Sequence, residues 1–478
     1  MAVAPKSRKL MAKSQEPISP DLMTQTRQLF GTDGIRGVAG EFPLTRESTY
    51  LIGRALGHDL LRVSAKPTVV IGQDTRESSR WIADRVWQGL ASVGAAVRSA
   101  GVITTPGVAY LARSRKWDAG VVISASHNPW TDNGIKVFSG DGYKLPDARE
   151  LAIEKEIFAQ LQNSDATAAS GPPVASVPGE KELRRAYIEW LAGNISTSLK
   201  RLRVAVDCAN GAATAEAPEV FSEMGIQATF LHAAPDGTNI NEGCGALHAE
   251  TVARFVAEST GKFDLGVTFD GDADRALFCD ATGRIVNGDA VLLIAARDML
   301  ARGSLAKAAV VATTMSNMGL ELALKGSGVR MLRANVGDKY VLEEMQREGA
   351  TLGGEQSGHI LFRDGDATTG DGLLTALRVM DIMVRSGRSL AELASDLKVF
   401  PQTIKNVRVR EKVPFARVPA VQQAIAAAER ELDGNGRVVV RYSGTEALAR
   451  VMIEAEEKEK MERITESIAS AIRKELGA

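Results

Sequence analysis

Cysteine is scarce in this 478-residue chain: Cys208, Cys244 and Cys279 are the only three, far apart and without a C-x-x-C pair. That spacing excludes a disulfide framework and a zinc knuckle and suits a reducing, cytoplasmic compartment. No apolar run approaches the roughly 20 residues of a transmembrane helix, so no membrane partner is expected. Charge of one sign is missing as well. Lys plus Arg total 58 against 59 Asp plus Glu, a net charge of -1. Such a balance gives no field for attracting nucleic acid or an anionic membrane, so any anion must be held by local groups. No G-x-x-x-x-G-K-[ST] loop is present to anchor a nucleoside triphosphate. No short-period repeat suggests a solenoid.

What is present divides into several domains, since 478 residues exceed what one hydrophobic core supports. Residues 1–27 combine Lys6, Arg8, Lys9 and Lys13 with Pro5, Pro17 and Pro20. They lack the apolar stretch of a secretory signal and read as a disordered extension. An organellar transit peptide is the alternative, and Met23 is a possible alternative start. Beyond them, short apolar runs end in polar or glycine-rich clusters. Examples are Val69-Val70-Ile71 before Gln73-Asp74-Thr75-Arg76, and Val121-Val122-Ile123 before Ser124-Ala125-Ser126-His127-Asn128-Pro129. Strands alternating with helical stretches predict an α/β protein whose ligands gather at the carboxyl ends of strands. A Ser/Ala/Gly/Pro-rich stretch over 164–180 reads as a linker. The expected units are therefore 28–163, 181–285, 286–398 and 399–478.

Asp270-Gly271-Asp272-Ala273-Asp274-Arg275 sets three carboxylates at alternate positions after an apolar strand. Carboxylates about 4 Å apart repel by roughly 4 kcal/mol per pair at an effective dielectric near 20. A hard cation relieves this directly, and oxygen-only ligands suit magnesium or calcium. An EF-hand would need Gly and Glu where Arg275 and Ala281 stand. A solvated acidic turn is the bland alternative. Ser126, beside His127 and followed by Lys136, is the candidate nucleophile, which a base and a metal could activate. Taken alone, such a serine is more often a cap or a turn residue. Arg36 in Gly31-Thr32-Asp33-Gly34-Ile35-Arg36-Gly37 could stabilise phosphoryl charge. Arg441-Tyr442-Ser443-Gly444-Thr445-Glu446 could cradle a phosphate. Gly354-Glu355-Gln356-Ser357-Gly358-His359 carries groups suited to sugar hydroxyls or an amine. The Arg36 and Arg441 loops could equally be ordinary turns, and the Glu355 loop a hydrogen-bonded surface turn.

Together and in this order, the serine, aspartate, Gly-Glu-Gln-Ser-Gly-His and Arg-Tyr-Ser-Gly-Thr-Glu motifs resemble the α-D-phosphohexomutase superfamily. The resemblance runs from about Leu29 to the C-terminus. It implies a four-domain phosphohexomutase architecture: three similar mixed α/β domains and a C-terminal α+β domain around a central cleft. Gln356, Thr368-Thr369-Gly370-Asp371-Gly372 and the Phe30–Gly37 wording resemble the branch acting on glucosamine phosphates. Phosphomannomutase/phosphoglucomutase relatives usually carry Met at Gln356 and His at Asp338. Tyr442 and Ala447 depart from the branch, which usually has Pro in that loop.

What the resemblance implies for the site follows residue by residue. Ser126 would be phosphoserine and would complete a Mg2+ site with Asp270, Asp272 and Asp274. Lys136, Arg36 and His359 would assist proton and charge transfer. Glu355, Gln356, Ser357 and Arg275 would hold the sugar, and Arg441, Ser443, Gly444, Thr445 and Arg450 its distal phosphate. The implied substrate is a small hexose phosphate, and the implied reaction is interconversion of glucosamine 6- and 1-phosphates through glucosamine 1,6-bisphosphate. The product would feed UDP-N-acetylglucosamine and peptidoglycan precursors. A homodimer and a kinase acting on Ser126 are left open as partners. The rival readings are a glucose or mannose phosphate mutase, a non-catalytic metal or sugar-phosphate binding protein, and a phosphatase using Asp270.

Overall fold

The structure, a computed structural model, describes residues 27–31, 33–162, 179–365, 367–443 and 447–477. The expected N-terminal extension, apart from residue 27, and nearly all of the expected linker lie outside the described residues. Four sheets of six, five, four and three strands follow one another along the chain.

The first three sheets repeat one plan. In the first, Thr68–Gln73 lies between its parallel neighbours Ala96–Val102 and Ala119–Ile123, and Asp132–Ser139 pairs antiparallel with Ala119–Ile123. In the second, Arg203–Asp207 lies between Gln227–Leu231 and Leu265–Phe269, and Ala276–Asp280 closes the antiparallel side. In the third, Ala309–Thr313 lies between Arg330–Ala334 and Leu352–Gly354, with Ile360–Phe362 antiparallel. The fourth sheet is purely antiparallel: Gln402–Arg408, Leu448–Ala455 and Gly436–Tyr442 in spatial order. This is the mixed α/β architecture with a distinct C-terminal unit. The inner parallel strands Ala119–Ile123, Leu265–Phe269 and Ala309–Thr313 are wholly buried and almost entirely apolar, as expected of strands covered on both faces.

The hydrophobic interior does not respect the sheet boundaries. One continuous cluster runs from Val70 and Val108 through Tyr187, Val206 and Phe269 to Leu377 and Leu393, whereas the fourth sheet keeps a separate core. The helix Lys181–Gly193 joins the parts. Its Tyr187 is fully buried, lies 5.9 Å from the rings of both Tyr110 and Trp190, and donates its hydroxyl to Asp371 at 2.8 Å. Asp371 in turn caps the helix Gly372–Ser386 through the Leu374 amide.

Glu216 lies in the same interior, on the helix Ala213–Glu223. It is fully buried and its carboxyl finds no hydrogen-bond donor beyond its own backbone amide. Burial pushes its pKa well above the usual carboxylate value; Arg184 opposes this, while Glu219 and Asp371 add to it. The folded protein thus retains a proton that the unfolded chain loses above about pH 4.3. Stability is unaffected below that pH and falls as pH rises toward the folded pKa. Glu216→Gln is therefore expected to flatten the decline of Tm between about pH 5 and pH 8; parallel Tm–pH curves for variant and wild type would contradict this.

Candidate active site

Three hairpins build the site, and each is the same connection in its own sheet: third parallel strand to antiparallel strand. The first carries Ser126, the second Asp270 to Arg275, the third Glu355 to His359. Their common position explains how segments far apart in sequence meet at one place.

Ser126 adopts φ 54°, a left-handed conformation that costs a non-glycine residue roughly 1–2 kcal/mol. Its surroundings hold it there. The Arg76 Nη2 donates to the Ser126 and Asn128 carbonyls, both at 2.9 Å, and Asn241 Nδ2 also donates to the Ser126 carbonyl at 2.9 Å. Arg76 is itself buried against Asp74, its Nε 2.8 Å from Oδ2, and Asp74 accepts the Ser124 hydroxyl at 2.6 Å. Ser124 Oγ then accepts the Ser126 amide. The second hairpin presses directly on this loop: a Cβ on Gly271 would meet the Ser126 carbonyl oxygen at 2.5 Å. Only glycine permits that approach.

The result aims Ser126 Oγ at Asp270 Oδ2, 2.5 Å away, with His127 Nδ1 at 3.2 Å. Burial and two positive neighbours, Arg275 and Arg36, lower the His127 pKa to about 4, so its ring is neutral at physiological pH. Asp270, Asp272 and Asp274 are all buried, with one ligand oxygen from each lying within 4.8 Å of the others. Burial and the charges of Asp274 and Asp272 hold the Asp270 carboxyl well above the ordinary range. Lys136 partly offsets this crowding. Its buried Nζ lies 2.8 Å from Asp33, 2.8 Å from Asp272 and 3.5 Å from Asp274. Burial disfavours its charge, but the three carboxylates outweigh burial and raise its pKa. Even so, Asp272 Oδ1 and Asp274 Oδ1 remain buried without a hydrogen-bond partner. Buried carboxylate oxygens without a hydrogen-bond partner, in a cluster of three carboxylates, fit a hard divalent cation.

Beside this centre lies a cavity of about 440 Å³ whose wall includes Asp33, Arg36, Arg275, Asp338, Glu355 and His359. Arg36 Nη2 is 2.5 Å from Asp33. Burial alone would raise the Asp33 pKa, but Lys136, Lys144 and Arg36 bring it well below the usual value. His359 lies between two acids, its Nδ1 3.7 Å from Asp274 and its Nε2 3.7 Å from Asp338. Those acids, with Glu355, overcome burial and raise its pKa. The Thr368–Gly372 segment supports that ring. The Gly370 amide donates to Nε2 at 3.2 Å, and a Cβ on Gly370 would strike the ring at 2.4 Å.

Of the residues singled out from sequence, Ser126, Lys136, Arg36, His359 and the three aspartates converge here, with Glu355 and Arg275 on the cavity wall. Gln356 points its amide at Asp289, 3.3 Å away, and Ser357 is exposed; neither lines the cavity. Arg441 and Arg450 face each other across paired strands, and Arg450 Nη2 is 3.4 Å from the Ser443 hydroxyl. Tyr442 stacks on Phe415 at 4.3 Å and donates to the Val413 carbonyl, which explains an aromatic at that position. Gly444 and Thr445 lie outside the described residues. Sequence reasoning missed Asp33, Lys144, Arg76 and Asn241. Asp33 sits inside a glycine motif and Arg76 just after a strand, yet nothing local marks them; Lys144 and Asn241 carry no local signal.

Domain profiles of the phosphoglucomutase/phosphomannomutase family match in order. Alpha/beta/alpha domains I, II and III match residues 27–164, 185–283 and 287–400, and the C-terminal domain matches 404–471. The chain belongs to this family of phosphohexomutases. Among its relatives, a phosphoglucosamine mutase of Koribacter versatilis is 60% identical over 459 residues, covering 96% of this chain and 99% of the relative. One of Solibacter usitatus is 53% identical over 451 residues, covering 94% and 99%. A phosphoglucomutase/phosphomannomutase family protein of Burkholderia thailandensis, known by crystal structure, superposes with a TM-score of 0.77. It is 25% identical and covers 93% of this chain and 97% of its own.

The acidic hairpin leads to a direct expectation. Millimolar divalent cation should raise the Tm of wild type, by about 2.7 kcal/mol of stability at a hundred times its dissociation constant. Asp272→Asn should abolish most of that shift. It removes a like charge but also the buried Lys136 ion pair, so the readout is the shift on adding cation and not the metal-free Tm. An undiminished shift in the variant would place the cation elsewhere.

Proposed function

We propose that this chain interconverts glucosamine 6-phosphate and glucosamine 1-phosphate, with Ser126 carrying the transferring phosphoryl group through a glucosamine 1,6-bisphosphate. The observation that carries the reading is Ser126 Oγ, held in a strained loop 2.5 Å from the acidic hairpin and beside the cavity. The names of the similar phosphoglucosamine mutases support the choice of sugar.

Asp270, Asp272 and Asp274, with the phosphate on Ser126, would hold the divalent ion, for which magnesium is the assignment best suited to oxygen ligands. It would supply positive charge to the phosphoryl group in flight. Transfer breaks the bond between phosphorus and Ser126 Oγ and forms one to a sugar hydroxyl oxygen; the hydroxyl proton must go to a base. Lys136, whose Nζ lies 2.8 Å from both Asp33 and Asp272, is assigned this role. Arg36 and Arg275 offer guanidinium donors along the cavity, and Glu355 an acceptor for sugar hydroxyls or the amine. The bisphosphate then turns end for end and returns its other phosphoryl group to Ser126. A separate site must hold the distal phosphate meanwhile, and Arg441, Ser443, Gly444, Thr445 and Arg450 are assigned to it.

Ser126 is buried, so a kinase would need the two hairpins parted; its neighbour His127 lines the adjoining cavity, from which a sugar bisphosphate would approach. A cytoplasmic setting accords with three buried free thiols and, among the described residues, no helix long and apolar enough to cross a membrane.

Ser126→Ala is expected to fold and to lose turnover to background, and phosphopeptide mapping of active wild type should place phosphate on Ser126; robust activity in the variant would refute the mechanism. Lys136→Met should lower kcat by about 10²- to 10⁴-fold, the range for a lost proton-transfer group. Arg441→Ala should weaken glucosamine, glucose and mannose phosphates alike, by about ten- to a hundredfold in kcat/KM. A change in sugar preference there would disprove its distal role. Of the three sugars, wild type should favour glucosamine 6-phosphate; a preference for glucose or mannose would replace the proposed substrate.

A further inference from the structure

Glucosamine phosphates differ from glucose phosphates by one cationic group, the ammonium at ring position 2. A site that selects them, as the proposed function requires, must offer it a carboxylate with acceptor capacity left. The cavity wall carries four: Asp33, Asp274, Asp338 and Glu355. Asp33 is engaged by Lys136, Lys144 and Arg36. Asp274 belongs to the metal-binding hairpin. The remaining two sit together on the wall formed by the third sheet. They are joined through Gly337, whose amide donates to Glu355 Oε1 at 2.9 Å.

Asp338 opens the helix Asp338–Glu348. Gly337 precedes it at φ 125°, a conformation that favours glycine and turns the chain into the helix at the cavity wall. Its Oδ1 accepts the Lys339 amide at 2.8 Å, its Oδ2 lies 2.5 Å from Lys144 Nζ, and His359 Nε2 is 3.7 Å away. A carboxylate has about four acceptor positions, so roughly half of this one's capacity remains. Lys144 is also anchored on Asp33, so its charge keeps a partner when Asp338 engages a ligand. The opposite end of His359 meets Asp274, which places Asp338 one imidazole's width from the metal-binding hairpin.

We propose that Asp338 is the specificity-determining residue that recognises the substrate's 2-ammonium group. The turnover geometry accords with one carboxylate in this role. Turning a hexose 1,6-bisphosphate end for end exchanges ring positions 2 and 4. Asp338 therefore meets the ammonium in one orientation and the 4-hydroxyl in the other, and a carboxylate accepts from both. Glu355, which among the described residues accepts only the Gly337 amide, also has acceptor capacity left. Glu355→Gln is therefore measured beside Asp338→Asn. It should weaken both sugars alike, and a loss confined to glucosamine 6-phosphate there would move the ammonium contact to Glu355.

The test compares kcat/KM for glucosamine 6-phosphate and glucose 6-phosphate in wild type, Asp338→Asn, Asp338→Glu and Lys144→Gln, from acid pH through the titration of the substrate's own amine. In Asp338→Asn the glucosamine-to-glucose ratio should fall about ten- to a hundredfold, the loss of one charge-assisted hydrogen bond. In wild type that ratio should decline as the amine loses its proton, and in Asp338→Asn it should be flat. Asp338→Glu should keep part of the ratio, while Lys144→Gln should lower both sugars together. A wild type that prefers the amino sugar, with an Asp338→Asn variant that retains both the ratio and its pH dependence, overturns the assignment of Asp338 alone. A wild type indifferent to the amine overturns the substrate reading, and this assignment with it.

Discussion

Four carboxylates, Asp33, Asp270, Asp272 and Asp274, converge on one centre from two different sheets, and their mutual repulsion is the constraint that the surrounding structure answers. At an effective dielectric near 20, each close pair costs roughly 4 kcal/mol, so the cluster is tolerable only with buried positive charge supplied to it. Lys136 bridges the two sheets for that purpose, and Lys144 and Arg36 take up Asp33. The neutralisation is incomplete: one oxygen each of Asp272 and Asp274 stays buried without a hydrogen-bond partner, within a three-carboxylate cluster that a divalent ion would fit. The joint between the first two sheets and the electrostatics of phosphoryl transfer are therefore one arrangement.

Much of this was legible in the residues. Each apolar run ending in a polar cluster marks a strand of a parallel sheet, because burial on both faces removes alternation and leaves the chemistry at the strand end. The three alternate aspartates and the Ser126 segment were visible for the same reason. The threefold recurrence of the hairpin was not, since its copies share backbone geometry and no side-chain pattern: a serine elbow, an acidic loop and a Gly-Glu-Gln-Ser-Gly-His turn. Arg76 and Asn241 were equally hidden. They act by gripping a main-chain carbonyl, a role that leaves no mark on neighbouring residues. Lys144 reads in sequence as one lysine among many surface charges, whereas the fold half-buries it between Asp33 of its own unit and Asp338 of the third.

The strained Ser126 conformation shows how such hidden residues matter. The left-handed backbone turns the hydroxyl toward Asp270, and Arg76 fixed on Asp74 supplies the restoring grip. Asn241 adds a donor from the second unit to the same carbonyl, so the aim of the Ser126 hydroxyl depends on the two units being docked. Gly271 permits that docking by bringing backbone against backbone.

The interior shared by the first three sheets has a consequence for how such a chain can be built and altered. Tyr187 and its neighbours leave no plane along which those three could be cut without exposing apolar surface, so they cannot be treated as interchangeable cassettes despite their matching strand order. The three-stranded unit keeps its own core. It is the one part of the described fold that recombination or engineering could exchange as a block, leaving the interior of the other three units intact.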